Sequence, residues 1–398
     1  MRRDEAQLVE PIELAPMREQ VLAWTAINSG TANLAGLDAM AGELADAFAA
    51  LPGSVTLEVP APVETVTAQG TLAPVAHGHH LVVRVRPEAK RRVLLTGHMD
   101  TVYAADHPFQ TSEWLDEQCL RGPGAADMKG GIALMLAGLR AFEESLPTLG
   151  YDVMINSDEE TGSASSAPLI RELAQGKIAA LTYEPALPGG VMARARPGSG
   201  NFAAIVTGRA AHAGRNPEDG RNAVVAAADL ALRLSQARHP ALSINPAKID
   251  GGGPNNIVPA QALLRFNLRP RAPEQAAEAQ ALIERLVAEI TAAHDVTIQL
   301  HGGFGRPPKP ITPEAERLFA LVADTAADLG ENLQWQDTGG VCDGNNIAAC
   351  GVPVIDTMGA RGDFIHSPQE YLEVDSLVLR AKLTALVLRR IEKGGSYP

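Results

Sequence analysis

The sequence predicts an α/β chain with a mixed, mainly parallel sheet, interrupted by a smaller inserted α+β unit. Two observations lead there. Strand-length apolar runs alternate with helical stretches in the first half, and residues 202–301 break that rhythm with a β-α-β-β-α-β order. Residues 92–96 (RVLLT) and 151–156 (YDVMIN) are short apolar runs of strand length, the first halted by Gly97. Between them, residues 128–144 carry apolar side chains over several turns, so strand, helix and strand follow one another. That order builds parallel sheets covered by helices. Earlier, Leu34, Leu37, Met40 and Leu44 stand near helical spacing, and short β-branched runs fill residues 55–85.

The inserted unit reads as strand 202–207, helix 222–236, strands 242–249 and 262–268, helix 274–294 and strand 296–301, the split ferredoxin-like pattern. Gly302-Gly303 and Pro307-Pro308 punctuate its exit. The expected division is therefore residues 1–195 with 308–398 as one unit and 196–307 as the other. Alternation resumes with a helix at 313–329 and an apolar strand at 352–356.

Composition narrows the function. Of 398 residues, 45% are hydrophobic, enough for a sizeable core, but only 4% are aromatic, so Ala, Val, Leu and Ile must fill it. A formal net charge of -13 argues against a nucleic-acid or anionic-membrane surface while leaving room for a local basic pocket. Three cysteines, Cys119, Cys342 and Cys350, lack metal-finger spacing and point to a reducing cytoplasm rather than a disulfide framework. The N-terminal stretch has no apolar signal-peptide core, and no apolar run is long enough to span a bilayer.

Chemistry concentrates at the ends of predicted strands, where open α/β sheets bind ligands. Gly97-His98-Met99-Asp100 places a carboxylate two residues from an imidazole, and a metal-binding imidazole needs such a partner to fix its other nitrogen. Asp127 follows a glycine-rich turn and stands at a predicted helix start, where an ordinary N-cap is the competing reading. Asp158-Glu159-Glu160 follows a buried strand, so its adjacent carboxylates repel unless a cation or a proton intervenes. Glu184 and His366 are weak signals singly. Together the set offers imidazole and carboxylate ligands without clustered thiolates, which suits catalytic zinc and tolerates cobalt or manganese. His77, His79 and His80 read as an exposed turn.

In this motif order the chain resembles the M20 family of metallopeptidases, from His98 to the C-terminal helix. The resemblance implies a zinc-peptidase-like catalytic domain with an inserted ferredoxin-like lid and dimerisation domain. It also implies two divalent metal ions, Zn2+ or alternatively Co2+ or Mn2+. Asp127 would bridge them, with His98 and Glu184 on one, Glu160 and His366 on the other, Asp100 orienting His98, and Glu159 as general base. Val206 to Gly214 is similar to the opening of the family's lid, which makes His212 an oxyanion donor from a partner subunit in a homodimer. Arg269, Asn256 and Gly359 match the substrate-carboxylate positions, Arg306 and Arg361 are further candidates, and Cys342 replaces the Ser or Thr common in relatives. The implied activity is hydrolysis of an amide, in a small molecule or dipeptide, beside a free carboxylate. A glutamate carboxypeptidase is the leading form, an N-acyl-amino-acid deacylase the alternative, and a catalytically silent metal-dependent binding protein or a metallophosphatase the readings from other classes.

Overall fold

A computed structural model describes residues 1–394. A six-stranded mixed sheet runs Ser54–Glu58, His80–Val85, Gly150–Asn156, Arg92–His98, Ala179–Thr182, Val354–Ile355 in spatial order. The last four are mutually parallel, and the first two pair antiparallel. Strand periodicity sorts the side chains between the two faces. Leu81, Val83, Val85, Val93 and Leu95 join the larger core beneath helices Leu34–Phe48, Gly130–Glu143 and Asp375–Glu392. Val82, Leu94, Met154 and Ala180 pack on the other face against Ile170, Leu173 and Ile347. Every residue of the Gly150–Asn156 strand is buried, as a strand covered on both faces must be.

The inserted segment forms its own four-stranded sheet, ordered Leu242–Gly251, Gln261–Pro270, Ser199–Thr207, Thr297–Arg306, with every neighbouring pair antiparallel. Helices Ala223–Gln236 and Pro273–His294 cover one face of it, around Phe202, Ala204, Leu230 and Ile283. A hairpin of strands Val63–Val66 and Leu72–Val75, which the sequence did not reveal, reaches from the first unit to the other face. There Val66 packs on Ala203, Ile205 and Leu263, and Arg265 donates to the Val66 carbonyl at 2.6 Å.

The two chain crossings between the sheets are clasped together. The Asn345 amide donates to the carbonyls of both Pro197 and Pro307 at 2.8 Å. Beside it, Arg196 and Lys309 bond to each other's backbone, and their side chains meet the same Asp356 oxygen at 2.6 and 2.8 Å.

His80 corrects one expectation. It opens a sheet strand and is buried rather than lying in an exposed turn. Its Nδ1 receives the Ser157 N–H at 3.3 Å, and its Nε2 lies 3.3 Å from the Ser165 hydroxyl, which in turn bonds Asp158. Burial, more than any neighbour, lowers its pKa, so the ring is neutral there.

Helix Gly130–Glu143 lies against the end of the Ala179–Thr182 strand because Gly131 has no side chain. A Cβ there would stand 2.3 Å from the Tyr183 carbonyl oxygen. Helix propensity alone predicts that Gly131→Ala stabilises by about 1 kcal/mol. The contact predicts the opposite sign, a loss of about 1–3 kcal/mol from forced displacement. A thermal or urea melt of the variant reads the sign directly.

Candidate metal centre

Because four strands run parallel, the segments leaving their carboxyl ends converge on one rim of the sheet. His98 closes the Arg92–His98 strand. Glu159 and Glu160 begin a single 3-10 turn just after Asn156, and Glu184 follows Thr182 by two residues. Asp127 comes from the turn Ala125–Lys129 that feeds the next helix. His366 stands on the loop between the short strands Gly362–Asp363 and Tyr371–Glu373.

These side chains form two triads that share Asp127, His98 with Glu184 and His366 with Glu160, each with its candidate ligand atoms within 4.8 Å of one another. The His98 Nε2 atom lies 3.1 Å from Asp127 Oδ1 and 3.8 Å from Glu184 Oε2. On the other side, His366 Nε2 is 3.2 Å from both Asp127 Oδ2 and Glu160 Oε2. The bridging position is thus occupied by a carboxylate presenting one oxygen to each side.

The donor chemistry fits a pair of divalent cations. His98 Nδ1 donates to the Asp100 carbonyl at 3.0 Å, which leaves Nε2 free to ligate. Burial and the neighbouring Asp127 charge push Glu160 up to about 8. Burial likewise raises Glu184, and raises Glu159 to about 7. Burial opposes ionisation of Asp127 as well, but bonds to His366 and His98 hold it below the usual range. Bonds to Asp127 and Glu160 in turn raise His366 to about 11. Four acids in so small and dry a space need cations or protons to coexist.

Two carboxylates outside the triads shape the loops. Asp100 accepts the backbone N–H of Glu159 at 3.1 Å and of Glu160 at 3.2 Å, together with the Thr31 hydroxyl at 2.7 Å. Its backbone carbonyl, rather than this carboxylate at 3.5 Å, makes the closer contact to His98. Glu370, which sequence reading missed, is buried and accepts the N–H groups of Gly124, Ala126 and Asp127 at 3.0–3.1 Å. Nothing in Pro-Gln-Glu-Tyr marks it, because its partners are backbone groups some 240 residues away.

The substrate-binding candidates separate. Arg306 is buried and already committed: its guanidinium meets Glu159 Oε1 at 2.7 Å, the Glu159 carbonyl and the Ser163 hydroxyl at 2.9 Å, and the Val341 carbonyl at 3.1 Å. It holds the expected base rather than standing free as a clamp. Arg361 is likewise taken up by Glu373, Asp375 and Glu331. Gly359 gives its N–H to the Glu184 carbonyl at 2.9 Å, and a Cβ there would lie 2.5 Å from that oxygen. Its role is close approach to a triad residue, not an open donor. Arg269 is half-buried and bonds the Gly339 carbonyl and Asn267. Asn256 and His212 are exposed on the inserted unit, and no contact joins either side chain to the triads among the described residues.

One further buried cation was passed over in the sequence. Arg196 is 6% exposed and uses Nε on Asp356, while its two terminal nitrogens make no hydrogen bond among the described residues. With Lys309 on the same carboxylate, this cluster carries one excess positive charge, and the field of Arg196 reaches Glu184. Cys342 adds no anion to it, since burial raises its thiol pKa well above normal.

The sequence profile of peptidase family M20/M25/M40 matches residues 94–390. This chain belongs to that family. It is 31% identical over 329 residues to carboxypeptidase G2 of Pseudomonas sp. (strain RS-16), covering 80% of this chain and 78% of the relative. Succinyl-diaminopimelate desuccinylase of Psychrobacter arcticus is 27% identical over 327 residues, covering 75% and 78%. The M20 fold is shared with a tripeptidase from Staphylococcus aureus (TM-score 0.75, 23% identity, 96% and 99% covered). It is shared too with the M20 metallo-carboxypeptidase Sso-CP2 of Sulfolobus solfataricus (TM-score 0.73, 14% identity, 95% and 99% covered). The protein is an M20 hydrolase of the peptidase and amidohydrolase type, from a metal-dependent family. No helix among the described residues is long and apolar enough to cross a membrane.

The Glu370 carboxylate gives the test of how the bridging loop is held. Glu370→Ala leaves three buried N–H groups unpaired, each costing about 1–3 kcal/mol. The variant is expected to lose several kcal/mol of stability in a urea melt. It is also expected to retain fewer divalent ions by elemental analysis, since the Asp127 backbone is no longer fixed.

Proposed function

We propose that this M20 protein is a two-metal hydrolase that cleaves an amide beside a free carboxylate, most like a glutamate carboxypeptidase. The observation that carries the reading is the pair of triads sharing Asp127 with Glu159, a carboxylate belonging to neither, beside them. His98, Asp127 and Glu184 would hold one cation, and Asp127, Glu160 and His366 the other. Divalent cations in such sites polarise a carbonyl and make water more acidic.

Glu159 accepts a proton from the attacking water as its oxygen adds to the amide carbon. It returns that proton to the nitrogen as the C–N bond breaks, giving a carboxylate and an amine. Arg306 positions Glu159 through the 2.7 Å contact. Arg196 offers its unengaged guanidinium edge to the substrate carboxylate, a planar fork suited to that partner, and Arg269 lies on the inserted unit as a second cationic group. Carboxypeptidase G2 as a relative supports the peptidase form. The 27% identical desuccinylase supports the deacylase alternative, whose chemistry at the scissile bond is the same.

The reading includes a homodimer formed through the inserted unit, in which His212 of one copy serves the other copy's centre. Val225, Leu232 and Ile257 are exposed apolar residues on that unit and support such pairing.

Two experiments test these roles. In the zinc-loaded protein, Glu159→Ala is expected to retain both ions and lose about 10²–10⁴-fold in kcat, whereas Glu160→Ala loses ion occupancy itself. Elemental analysis beside initial rates separates them, and normal turnover by both variants rejects the assignment. For the carboxylate, Arg196→Ala is expected to lower kcat/KM for a free-acid substrate by about 10–100-fold, the worth of one charge-assisted bond. Its effect on the amidated analogue is expected to be much smaller, and equal losses on both would remove Arg196 from the substrate.

A further inference from the structure

The strand Gln261–Pro270 of the inserted sheet carries an anomaly. Leu264, Phe266 and Leu268 point into the helix-covered core, so Leu263, Arg265, Asn267 and Arg269 alternate onto the opposite face. That second face of the strand is polar except at Leu263. There Leu263 meets Ala203 and Ile205 of the neighbouring strand, and all three are buried in one small cluster with Val66 of the hairpin. Two bonds fasten the hairpin tip beside it. Arg265 donates to the Val66 carbonyl at 2.6 Å, and the Gln261 amide donates to the Gln69 carbonyl at 2.9 Å. Gly70 allows the fit, because a Cβ there would stand 2.7 Å from the Gln261 amide nitrogen and 3.2 Å from Ile205.

The feet of the same hairpin grip a different structure. Its segment leaves the main sheet after Glu58 and returns at His80, residues that face each other across antiparallel strands. The His80 strand in turn pairs with Gly150–Asn156, so both feet stand where residues 157–165 begin. At one foot the Ala61 N–H donates to the Ser165 carbonyl at 3.2 Å. At the other, the Ser157 hydroxyl donates to the Gly78 carbonyl at 2.7 Å, and the Ser157 N–H donates to His80 Nδ1 at 3.3 Å. Ser157 and Ser165 bracket the turn that carries Glu159 and Glu160. Within the bracket, the Asp158 carboxylate accepts the Ser165 N–H and hydroxyl at 2.7 and 2.9 Å, and the Asp158 carbonyl accepts the Ser163 N–H at 2.8 Å. Arg306, which ends the outer strand of the inserted unit, holds this turn from the other side.

We propose that residues 59–79 are a strap that couples the inserted unit to the Glu159–Glu160 turn, so that the turn keeps its position only while Val66 is seated on Leu263. This rests on the hydrolase reading above and deepens it. It assigns Val66 and Leu263, neither of which belongs to the triads, as positioning residues for the catalytic turn.

The test reads the turn itself. Zinc-loaded Val66→Ser and Leu263→Ala proteins, each shown to be folded by a cooperative thermal melt, are compared with the unaltered protein by amide hydrogen exchange. Amides of residues 157–165 are expected to exchange about tenfold faster in either variant, the size of change that loosening one coupled contact produces. Exchange in the Arg92–His98 strand is expected to stay as it was. Thr65→Ala, at an exposed position of the same hairpin, is expected to change neither region. The two variants cut one contact from opposite sides, so either suffices should the other fail to fold. With N-benzoyl-L-glutamate as the probe, kcat is expected to fall about tenfold at full zinc content while KM stays nearly constant. Unchanged exchange at 157–165 in the folded variants, an equal rise in the Arg92–His98 strand, or an unchanged kcat in an active enzyme overturns the strap. Faster exchange confined to 157–165 in a protein that does not hydrolyse the probe upholds the strap and counts against the hydrolase reading instead.

Discussion

Mutual repulsion among buried carboxylates is the constraint on which the rest of this structure depends. Asp127, Glu159, Glu160 and Glu184 occupy one small volume at the carboxyl rim of the parallel strands. In a space with little water, like charges at such separations interact far more strongly than at the surface. The fold therefore has to hold the acids together. It does so with backbone rather than side-chain partners. Asp100 gathers the N–H groups of the Glu159–Glu160 turn, and Glu370 gathers three N–H groups around Asp127. Gly131 and Gly359 supply the two close approaches that bring Tyr183 and Glu184 in.

Positive charge is distributed around that cluster with unequal freedom. Arg306 uses both terminal nitrogens on Glu159 and the turn that carries it, so its charge keeps the Glu159 carboxylate in place. Among the described residues Arg196 is held at one nitrogen only, which leaves its terminal N–H groups without a bonded partner. Removing Asp356 would leave both Arg196 and Lys309 as buried unpaired cations, the most costly kind of broken ion pair. That carboxylate thus anchors both chain crossings while orienting the Arg196 guanidinium.

The same residues connect the two sheets. Arg306 ends the outer strand of the inserted unit yet bonds the Glu159 turn, and Asn345 ties both crossings to the helix Asp343–Ala349. The hairpin carrying Val66 adds a contact on the far side of the inserted sheet. Geometry at the rim and orientation of the inserted unit are in this way parts of one network.

Sequence by itself determined the architecture and a set of candidate metal ligands. Strand runs such as 92–96 and 151–156, and the β-α-β-β-α-β order from 202 to 301, depend on local periodicity, which survives in one dimension. His98, Asp127, Glu159 and Glu160 stand out at strand or helix boundaries, whereas Glu184 and His366, weak singly, were legible only through the motif order of the whole set. Only tertiary structure decided which charges are free. Arg306 and Arg196 look alike in the sequence, and what separates them is that Glu159, Ser163 and the Val341 carbonyl take up the terminal nitrogens of Arg306, while among the described residues Arg196 is bonded only through Nε to Asp356. Glu370 owes its importance to backbone donors distant in the chain. His80, read locally as a surface turn, is buried because a neighbouring strand places Ser157 beside it. Such roles follow from pairings across hundreds of residues, and these are fixed by packing, not by any local pattern.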